Sequence, residues 1–273
     1  MVVALDHDGR EVWQRDLGPF ISQHGHGSSP IVFEGLVIVT SEQEGPKSFL
    51  AALDSKTGQV RWQCERRSEK AAYSTPCVYQ PEDGGPQIIF TSQAHGVTAV
   101  DPKTGKVIWD VSDAFPKRVV GSPIVAAGLI IGACGEGGAG MHTIAVRPPK
   151  AGGKAEVAYK VTKSSPYVPM PAAKDGLMFL WSDTGTVTCV RTETGQEVWR
   201  EKVGGNYYSS PLWVGNRIYN ISTKGEVVVI AAAEKYELLG RTPLNEKCHA
   251  TPAVADGRMY IRTWSHLMSV GKP

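Results

Sequence analysis

The stretch that decides the fold is ALDSKTGQVRW at residues 52–62, because close copies of it recur along the chain. It returns as AVDPKTGKVIW at residues 99–109 and as CVRTETGQEVW at residues 189–199. A copy one residue shorter, ALDHDGREVW, stands at residues 4–13. In each copy a glycine precedes the tryptophan by four residues. One short phrase repeated at this spacing indicates a repeat protein.

A second phrase, opened by a proline, marks where each repeat begins. SSPIVFEGLVIVTS, from Ser28, and GSPIVAAGLIIGAC, from Gly121, each hold two apolar runs around a glycine-containing turn, the pattern of a β-hairpin. Proline is tolerated there because the first residue of a strand need not donate to a ladder. The six prolines recur at intervals of 46, 47, 48, 40 and 41 residues: Pro30, Pro76, Pro123, Pro171, Pro211 and Pro252.

Together the two phrases predict units of four strands. In the first complete unit we expect strand A at residues 31–33, strand B at 36–40, strand C at 49–53 and strand D at 59–65. Four strands recurring every 40 to 48 residues are typical of a β-propeller, whose blades bury their faces against one another. The sequence therefore predicts an all-β fold of four-stranded blades.

The ends of the chain set the expected blade count. Six proline-led units predict six blades in a single propeller domain spanning residues 1–273. Residues 1–15 supply only strands C and D, and residues 251–270 supply A, B and an apparent C, so the two termini would complete one blade and cover its edges. The alternative is part of a seven- or eight-bladed ring.

The tryptophan of the repeated phrase suits a joint between blades. The segment before it forms a turn between strands C and D, with Asp bonding its own turn backbone and Gly supplying a positive φ. The indole carries a large apolar area and an N–H that needs an acceptor. We predict a structural docking role for Trp13, Trp62, Trp109 and Trp199, with Trp62 and Trp109 buried between blades.

The pattern A-x-D-x-x-T-G-x-x-x-W resembles the tryptophan-docking motif of the pyrroloquinoline-quinone-like propellers, which include quinoprotein alcohol dehydrogenases and BamB-like propellers of the outer-membrane barrel-assembly machinery. Residues 52–62 and 99–109 match it fully, whereas Arg191 replaces the acid in the third copy. In the fourth unit Tyr159 stands where the tryptophan is expected. The resemblance implies a propeller in the cell envelope, in a periplasmic or extracytoplasmic location.

The resemblance does not extend to quinoprotein chemistry. Those dehydrogenases carry an adjacent-cysteine disulfide and Glu, Asn and Asp ligands for Ca²⁺, whereas the five cysteines here lie far apart and no calcium-ligand set is recognisable. We therefore expect no cofactor, neither pyrroloquinoline quinone nor calcium, and no catalytic residues. His24 and His26 could face one side of a strand, but a metal site there would need His249 or His266 as a third ligand, so we expect no metal.

Composition excludes two classes of partner. The formal net charge is +2, with acids and bases interspersed, so no nucleic-acid footprint is present. No apolar run is long enough to span a bilayer. The oligomeric state is left open.

The loops of the repeats divide into two sets. The A–B and C–D turns are short and alike, whereas the D–A and B–C connections differ between blades and meet on the opposite face. Residues that precede the innermost strands should surround the mouth of the central channel, where aromatic, imidazole and cationic groups favour ligand binding. The predicted ligand-binding residues are His24, His26, Tyr73, Arg118, Tyr167, Tyr207, Tyr208 and His249. The alternative is that these side chains simply fill the channel.

Three functions are compatible with this pattern. The first is a non-catalytic binding or scaffold propeller that recognises a protein segment or a polar small molecule at the channel mouth. The second is a quinoprotein-like or other enzyme using the same mouth. The third is the sensor domain of a longer chain such as a receptor kinase.

Overall fold

A computed structural model of the protein describes residues 1–150 and 153–271 and shows 25 β-strands within them. No helix in these residues has the length and apolar character needed to cross a bilayer. The sheets are antiparallel and most have four strands, as in the blades of a propeller. The all-β prediction is confirmed.

The strands form seven sheets in the described part of the chain, and neighbours in each sheet follow one another in sequence. The N-terminal hairpin contains β1 (Val2–Leu5) and β2 (Glu11–Arg15). Sheet 1 contains β3 (Ile31–Phe33), β4 (Leu36–Ser41), β5 (Gly45–Asp54) and β6 (Val60–Ser68). Sheet 2 contains β7 (Cys77–Tyr79), β8 (Gln87–Ser92), β9 (Gly96–Val100) and β10 (Val107–Val111).

The remaining sheets repeat this order. Sheet 3 contains β11 (Ile124–Ala126), β12 (Leu129–Glu136), β13 (Ala139–Arg147) and β14 (Glu156–Val161). Sheet 4 contains β15 (Ala172–Lys174), β16 (Leu177–Trp181), β17 (Thr186–Arg191) and β18 (Glu197–Lys202). Sheet 5 contains β19 (Leu212–Val214), β20 (Arg217–Ile221), β21 (Glu226–Ala231) and β22 (Leu238–Pro243). The C-terminal sheet contains β23 (Ala253–Ala255), β24 (Arg258–Arg262) and β25 (Leu267–Gly271).

Sheet 1 tests the predicted strand bounds directly. Strand A is as predicted and strand B is one residue longer, but strands C and D extend to Gly45 and Ser68, which pair with each other. The extension contains a break in register between Gly45 and Ser48, so the apolar pattern that guided the prediction stops before the strand does. Sheet 1 therefore carries a longer C–D ribbon than the sequence pattern indicated.

The A–B hairpins use the turns that the sequence predicts. In four of them a residue with φ between 46° and 50° is followed by a glycine with φ between 69° and 79°, as at Glu34–Gly35 and Asp256–Gly257. Positive φ at both central residues is the type I′ turn, whose twist matches that of the flanking strands. Glycine at the second position meets this requirement without a steric cost.

Contact clustering divides the chain into two compact units. Unit one comprises residues 1–128 and 146–157, and unit two comprises residues 129–145 and 158–273. In unit one, Ile38 and Leu50 of sheet 1 pack in one cluster with Ile88 and Phe90 of sheet 2. In unit two, sheets 4 and 5 share a cluster that includes Phe179, Trp181, Ile218 and Val228. Each core thus lies between the faces of neighbouring four-stranded sheets.

The terminal segments form a two-stranded and a three-stranded sheet, which are separate ladders in the described residues. The strands supplied by each terminus, C and D at the start and A, B and C at the end, are those that the sequence predicted. The blade count of six and its closure by the termini stay predictions, as does the single-domain assignment.

In unit one, Trp13 and Trp62 each contact the C–D turn of the next sheet. Trp62 is 7% exposed, and its indole N–H donates to the carbonyl oxygen of Pro102 at 2.8 Å. Its ring lies over Gly105, where an added Cβ would stand 2.6 Å from the ring. Trp13 repeats this arrangement on sheet 1, donating to Ser55 O at 3.0 Å and covering Gly58. The glycine of the phrase therefore provides a turn conformation and also space for the preceding tryptophan.

Unit two keeps the same joint with altered residues. Tyr159 takes the tryptophan's place, since its hydroxyl donates to Thr192 O and its ring lies over Gly195. Trp199 donates to Ala233 O at 3.0 Å although its partner turn has lost the motif.

Trp109 departs from this pattern. It is 8% exposed, and its indole N–H donates to the side-chain oxygen of Gln87 at 2.8 Å. Gln87 lies in β8, so the acceptor belongs to the same sheet as Trp109 itself.

Candidate binding site on the D–A and B–C loops

The segments that lead into strand A are joined by a repeated hydrogen bond. At four of the six prolines, the preceding residue donates its backbone N–H to the hydroxyl of the residue at the same position in the next repeat. In unit one Ser29 donates to Thr75 at 3.0 Å, and Thr75 donates to Ser122 at 2.9 Å. In unit two Met170 donates to Ser210 and Ser210 to Thr251, each at 2.9 Å. The recurring Ser/Thr-Pro pairs were the sequence signal for this feature, which the motif search missed.

In unit one, three of the predicted residues come together. The Arg118 guanidinium lies 5.7 Å from the centroid of the Tyr73 ring, and His24 lies 6.1 Å from Tyr73 between ring centroids. Glu44 lies 3.5 Å from Arg118 and partly balances its charge. The Tyr73 hydroxyl and the Arg118 Nε are buried and have no hydrogen-bond partner in the described chain. We name these four residues the Tyr73 niche.

The two histidines of the sequence motif separate in the structure. His24 is directed at Tyr73, whereas His26 packs against Phe20 with ring centroids 4.6 Å apart. Both imidazoles are exposed. Each therefore contacts a different aromatic ring.

In unit two, two predicted binding residues are buried. Tyr207 is fully buried and makes an edge contact with Trp181, with centroids 5.2 Å apart, and burial raises its pKa to about 12. Tyr167 is 8% exposed, and its backbone N–H donates to Asp183 at 2.7 Å. The side chains of Tyr167 and Tyr207 thus pack inside the unit.

The other two predicted residues of unit two stand on the surface beside an aromatic residue that the sequence reading passed over. Tyr208 is 49% exposed and meets His249 edge-on at 5.2 Å between centroids. Trp264 lies 6.2 Å beyond His249 and is 71% exposed. Lys247 and Arg262 line the adjoining cavity of about 330 Å³. We name these five residues the Trp264 patch.

A polar groove runs beside the long C–D ribbon of sheet 1. A cavity of about 920 Å³ there is lined by Lys47, Arg67 and His95, among others. Burial and the charge of Arg66 lower the pKa of His95, whose Nε2 lies 2.9 Å from the Arg67 carbonyl oxygen. Arg66 is itself paired with the buried Glu42 at 2.7 Å. Its neutral form is therefore favoured, and the imidazole is part of the backbone hydrogen-bond network.

The residues present do not gather as metal ligands. Within residues 1–150 and 153–271, no three His, Cys, Asp or Glu side chains form a group that could hold a metal ion. The five cysteines are free thiols, and burial raises the pKa of Cys77 and Cys189 to about 12. Thiols with such pKa values are poor nucleophiles at neutral pH.

Comparison with known proteins gives the family. The family model described as outer membrane protein assembly factor BamB matches residues 1–148 and 154–236. The chain belongs to the BamB family. This confirms the resemblance drawn from the repeated phrase.

Individual relatives are distant from this BamB-family chain. BamB from Yersinia pestis is 23% identical over an alignment of 278 positions, which covers 96% of this chain and 66% of that protein. The dehydrogenase subunit of the quinone alcohol dehydrogenase from Komagataeibacter europaeus is 25% identical over an alignment of 207 positions, which covers 68% of this chain and 26% of the subunit. The chain thus spans just under two thirds of the first relative and about a quarter of the second.

Solved structures confirm the fold. BamB from Moraxella catarrhalis superposes with a TM-score of 0.74 at 16% identity, covering 98% of this chain and 77% of that one. A quinohemoprotein alcohol dehydrogenase from Pseudomonas putida gives 0.64 at 17% identity, covering 91% and 52%. Both belong to the propeller group predicted from the sequence.

Proposed function

We propose that this chain is a non-catalytic scaffold propeller of the cell envelope, located in the periplasm, that binds a protein segment through its D–A and B–C loops. Membership of a family described as an assembly factor supports a protein partner. The observation that carries the proposal is the Tyr73 niche, which holds a phenol hydroxyl and a guanidinium N–H without partners.

Unpaired buried polar groups are rare because each costs about 1–3 kcal/mol. A ligand that supplies acceptors for the Tyr73 hydroxyl and the Arg118 Nε recovers that cost. A backbone carbonyl or side-chain carboxylate of a bound segment is such an acceptor, and His24 and Tyr73 offer flanking ring surfaces. A protein segment that enters the niche would satisfy both donors through its backbone carbonyls, once the side chains that cover these atoms move.

The test is direct binding of the full chain to the purified outer-membrane assembly proteins of the organism that encodes it. Tyr73→Phe and Arg118→Gln should each weaken binding about tenfold to a hundredfold, the worth of a hydrogen bond involving a charged or buried group. Arg61→Gln is the matched control, since Arg61 pairs with Asp54 at the C–D turns on the other set of loops. Binding that depends on Arg61 and not on the niche contradicts the proposal.

The quinoprotein similarity supports a second test. Because this chain lacks adjacent cysteines, we propose that it does not use pyrroloquinoline quinone with calcium as an enzyme. Incubation of the purified chain with both should give no quinone-dependent dye reduction with primary alcohols. Reduction above that of the free quinone would instead assign an enzymatic function.

A further inference from the structure

The Trp264 patch has a chemistry distinct from that of the Tyr73 niche. Three aromatic or imidazole side chains, Tyr208, His249 and Trp264, stand in line on the surface of unit two. Trp264 is 71% exposed, although tryptophan is highly buried on average in folded proteins. Exposed aromatics beside cations are the composition of protein-binding hot spots.

The turn that contains Trp264 is held in place by hydrogen bonds to Glu246. The Glu246 carboxylate accepts hydrogen bonds from the hydroxyls of Thr263 and Ser265 and from the Ser265 N–H at 2.8 Å. His266 Nδ1 lies 3.1 Å from the same carboxylate. These contacts lower the pKa of Glu246 to about 2, so the anion persists at neutral pH. The exposed indole is thus held on a preorganised loop, which reduces the entropy lost on binding.

The repeat shows that tryptophan is not required by the fold at this position. The backbone N–H of Trp264 donates to the carbonyl oxygen of Lys247 at 3.0 Å. The corresponding bond one repeat earlier joins the backbone N–H of Thr223 to the carbonyl oxygen of Asn206 at 2.7 Å. Thr223 makes this turn with a small polar side chain that is half-buried. The backbone therefore needs no aromatic residue there, and the indole is available for another role.

The charges beside the tryptophan select the ligand. Lys247 and Arg262 line the cavity. Neither forms an ion pair within the described residues, and the Arg262 Nε donates to the Thr263 carbonyl oxygen at 3.0 Å. The nearby Glu246 is occupied by its turn, and the lining contains no acidic side chain. Two cations that have no ion-pair partner in the described residues, beside aromatic rings in edge contact, complement carboxylates on a segment that also carries apolar groups.

We propose that the Trp264 patch docks an acidic segment of a partner protein. The proposal rests on the protein-binding function proposed above and names the chemistry of a second contact. Apolar side chains of the segment pack on Trp264 and Tyr208, and its carboxylates pair with Lys247 and Arg262.

The probe is a fluorescein-labelled peptide of eight residues, of which two are leucine and the rest are glutamate. Two control peptides carry glutamine or lysine in place of every glutamate. Fluorescence anisotropy with the full chain should show binding of the glutamate peptide that weakens as salt increases. Trp264→Ala should weaken it about tenfold, and the double variant Lys247→Gln, Arg262→Gln should do the same by a separate route. The matched controls Leu267→Ala and Lys202→Gln, an exposed apolar residue and an exposed lysine outside the patch, should not change it.

Three results overturn the proposal: no binding of the glutamate peptide at millimolar concentration, equal binding of the glutamine peptide, or binding that neither set of variants alters. Vesicles of phosphatidylglycerol are added as competitor, and Trp264-dependent binding to them without peptide binding would assign a lipid surface instead. If the assembly proteins bind through the Tyr73 niche while the peptide does not bind, only the present inference fails.

Discussion

The joint between sheets 1 and 2 makes a sharp prediction for Gly105→Ala. Gly105 has φ +73°, and an added Cβ would stand 2.6 Å from the ring of Trp62. Gly35→Ala is the matched control, because Gly35 has φ +77° and nothing lies within 4 Å of its added Cβ. The two substitutions share the backbone cost and differ only in the collision.

The magnitudes follow from these contacts. An L-residue in the left-handed region costs about 1–2 kcal/mol, which applies to both variants. Gly105→Ala also displaces the indole, at about 1–3 kcal/mol for overpacking, and weakens its hydrogen bond to Pro102, worth about 0.5–1.5 kcal/mol. We therefore expect Gly105→Ala to lower the free energy of unfolding by about 2–4 kcal/mol more than Gly35→Ala does.

Urea denaturation followed by fluorescence and circular dichroism measures both variants, alone and combined with Trp62→Ala. Trp62→Ala should itself cost about 3–5 kcal/mol. In the Trp62→Ala variant, Gly105→Ala should destabilise the protein only as much as Gly35→Ala does, because the indole ring is absent. The difference between the costs of Gly105→Ala with and without Trp62 is the coupling energy of the two residues. Equal costs for Gly105→Ala and Gly35→Ala in the unmodified chain would refute this account of the joint.

Three further predictions concern charged groups. Arg66→Met should cost about 3–5 kcal/mol in denaturation experiments because it leaves the buried Glu42 carboxylate unpaired, and adding Glu42→Gln should restore most of the loss. Burial raises the pKa of Asp183, so the folded protein binds this proton more tightly than the unfolded chain does. The free energy of unfolding should therefore decrease as pH rises from about 4 through the raised pKa, and Asp183→Asn should remove this pH dependence. The pKa of Glu246 is lowered to about 2, so its turn should be stable above about pH 4 and loosen as pH falls toward 2; hydrogen exchange at the Ser265 amide should report this, and Glu246→Gln should show fast exchange at every pH.

Strand positions were predictable because local chemistry determines them. Gly35 and Gly257 occupy turn positions that need positive φ, and the short apolar runs on either side of each turn pair as the two strands of a hairpin. The acceptors of the tryptophans were not predictable in the same way. Trp62 and Trp109 stand in nearly identical phrases, yet one donates to a backbone carbonyl and the other to Gln87. Neither acceptor lies within the tryptophan's own phrase, so the phrase alone does not determine it.

The candidate site shows a similar limit. Tyr207 and Tyr208 are adjacent on an extended segment, so the alternation of side chains implies that they face opposite ways. Which one is buried depends on the space beside Trp181, a long-range packing property. The sequence analysis did not select Trp264, because the repeat pattern does not separate a binding residue in a B–C turn from other loop residues. Its exposed fraction of 71% identifies it in the structure.

The aromatic joints also have a consequence for how the chain acquires its structure during synthesis. The hydrogen bond from Trp13 spans 42 residues, that from Trp62 spans 40, and those from Tyr159 and Trp199 span 33 and 34. Each of these four joints therefore closes when about one further repeat has left the ribosome, and none of the four waits for the distant end of the chain. Contacts of such uniform and short sequence separation favour stepwise folding from the N-terminus, with one completed sheet at a time left uncovered.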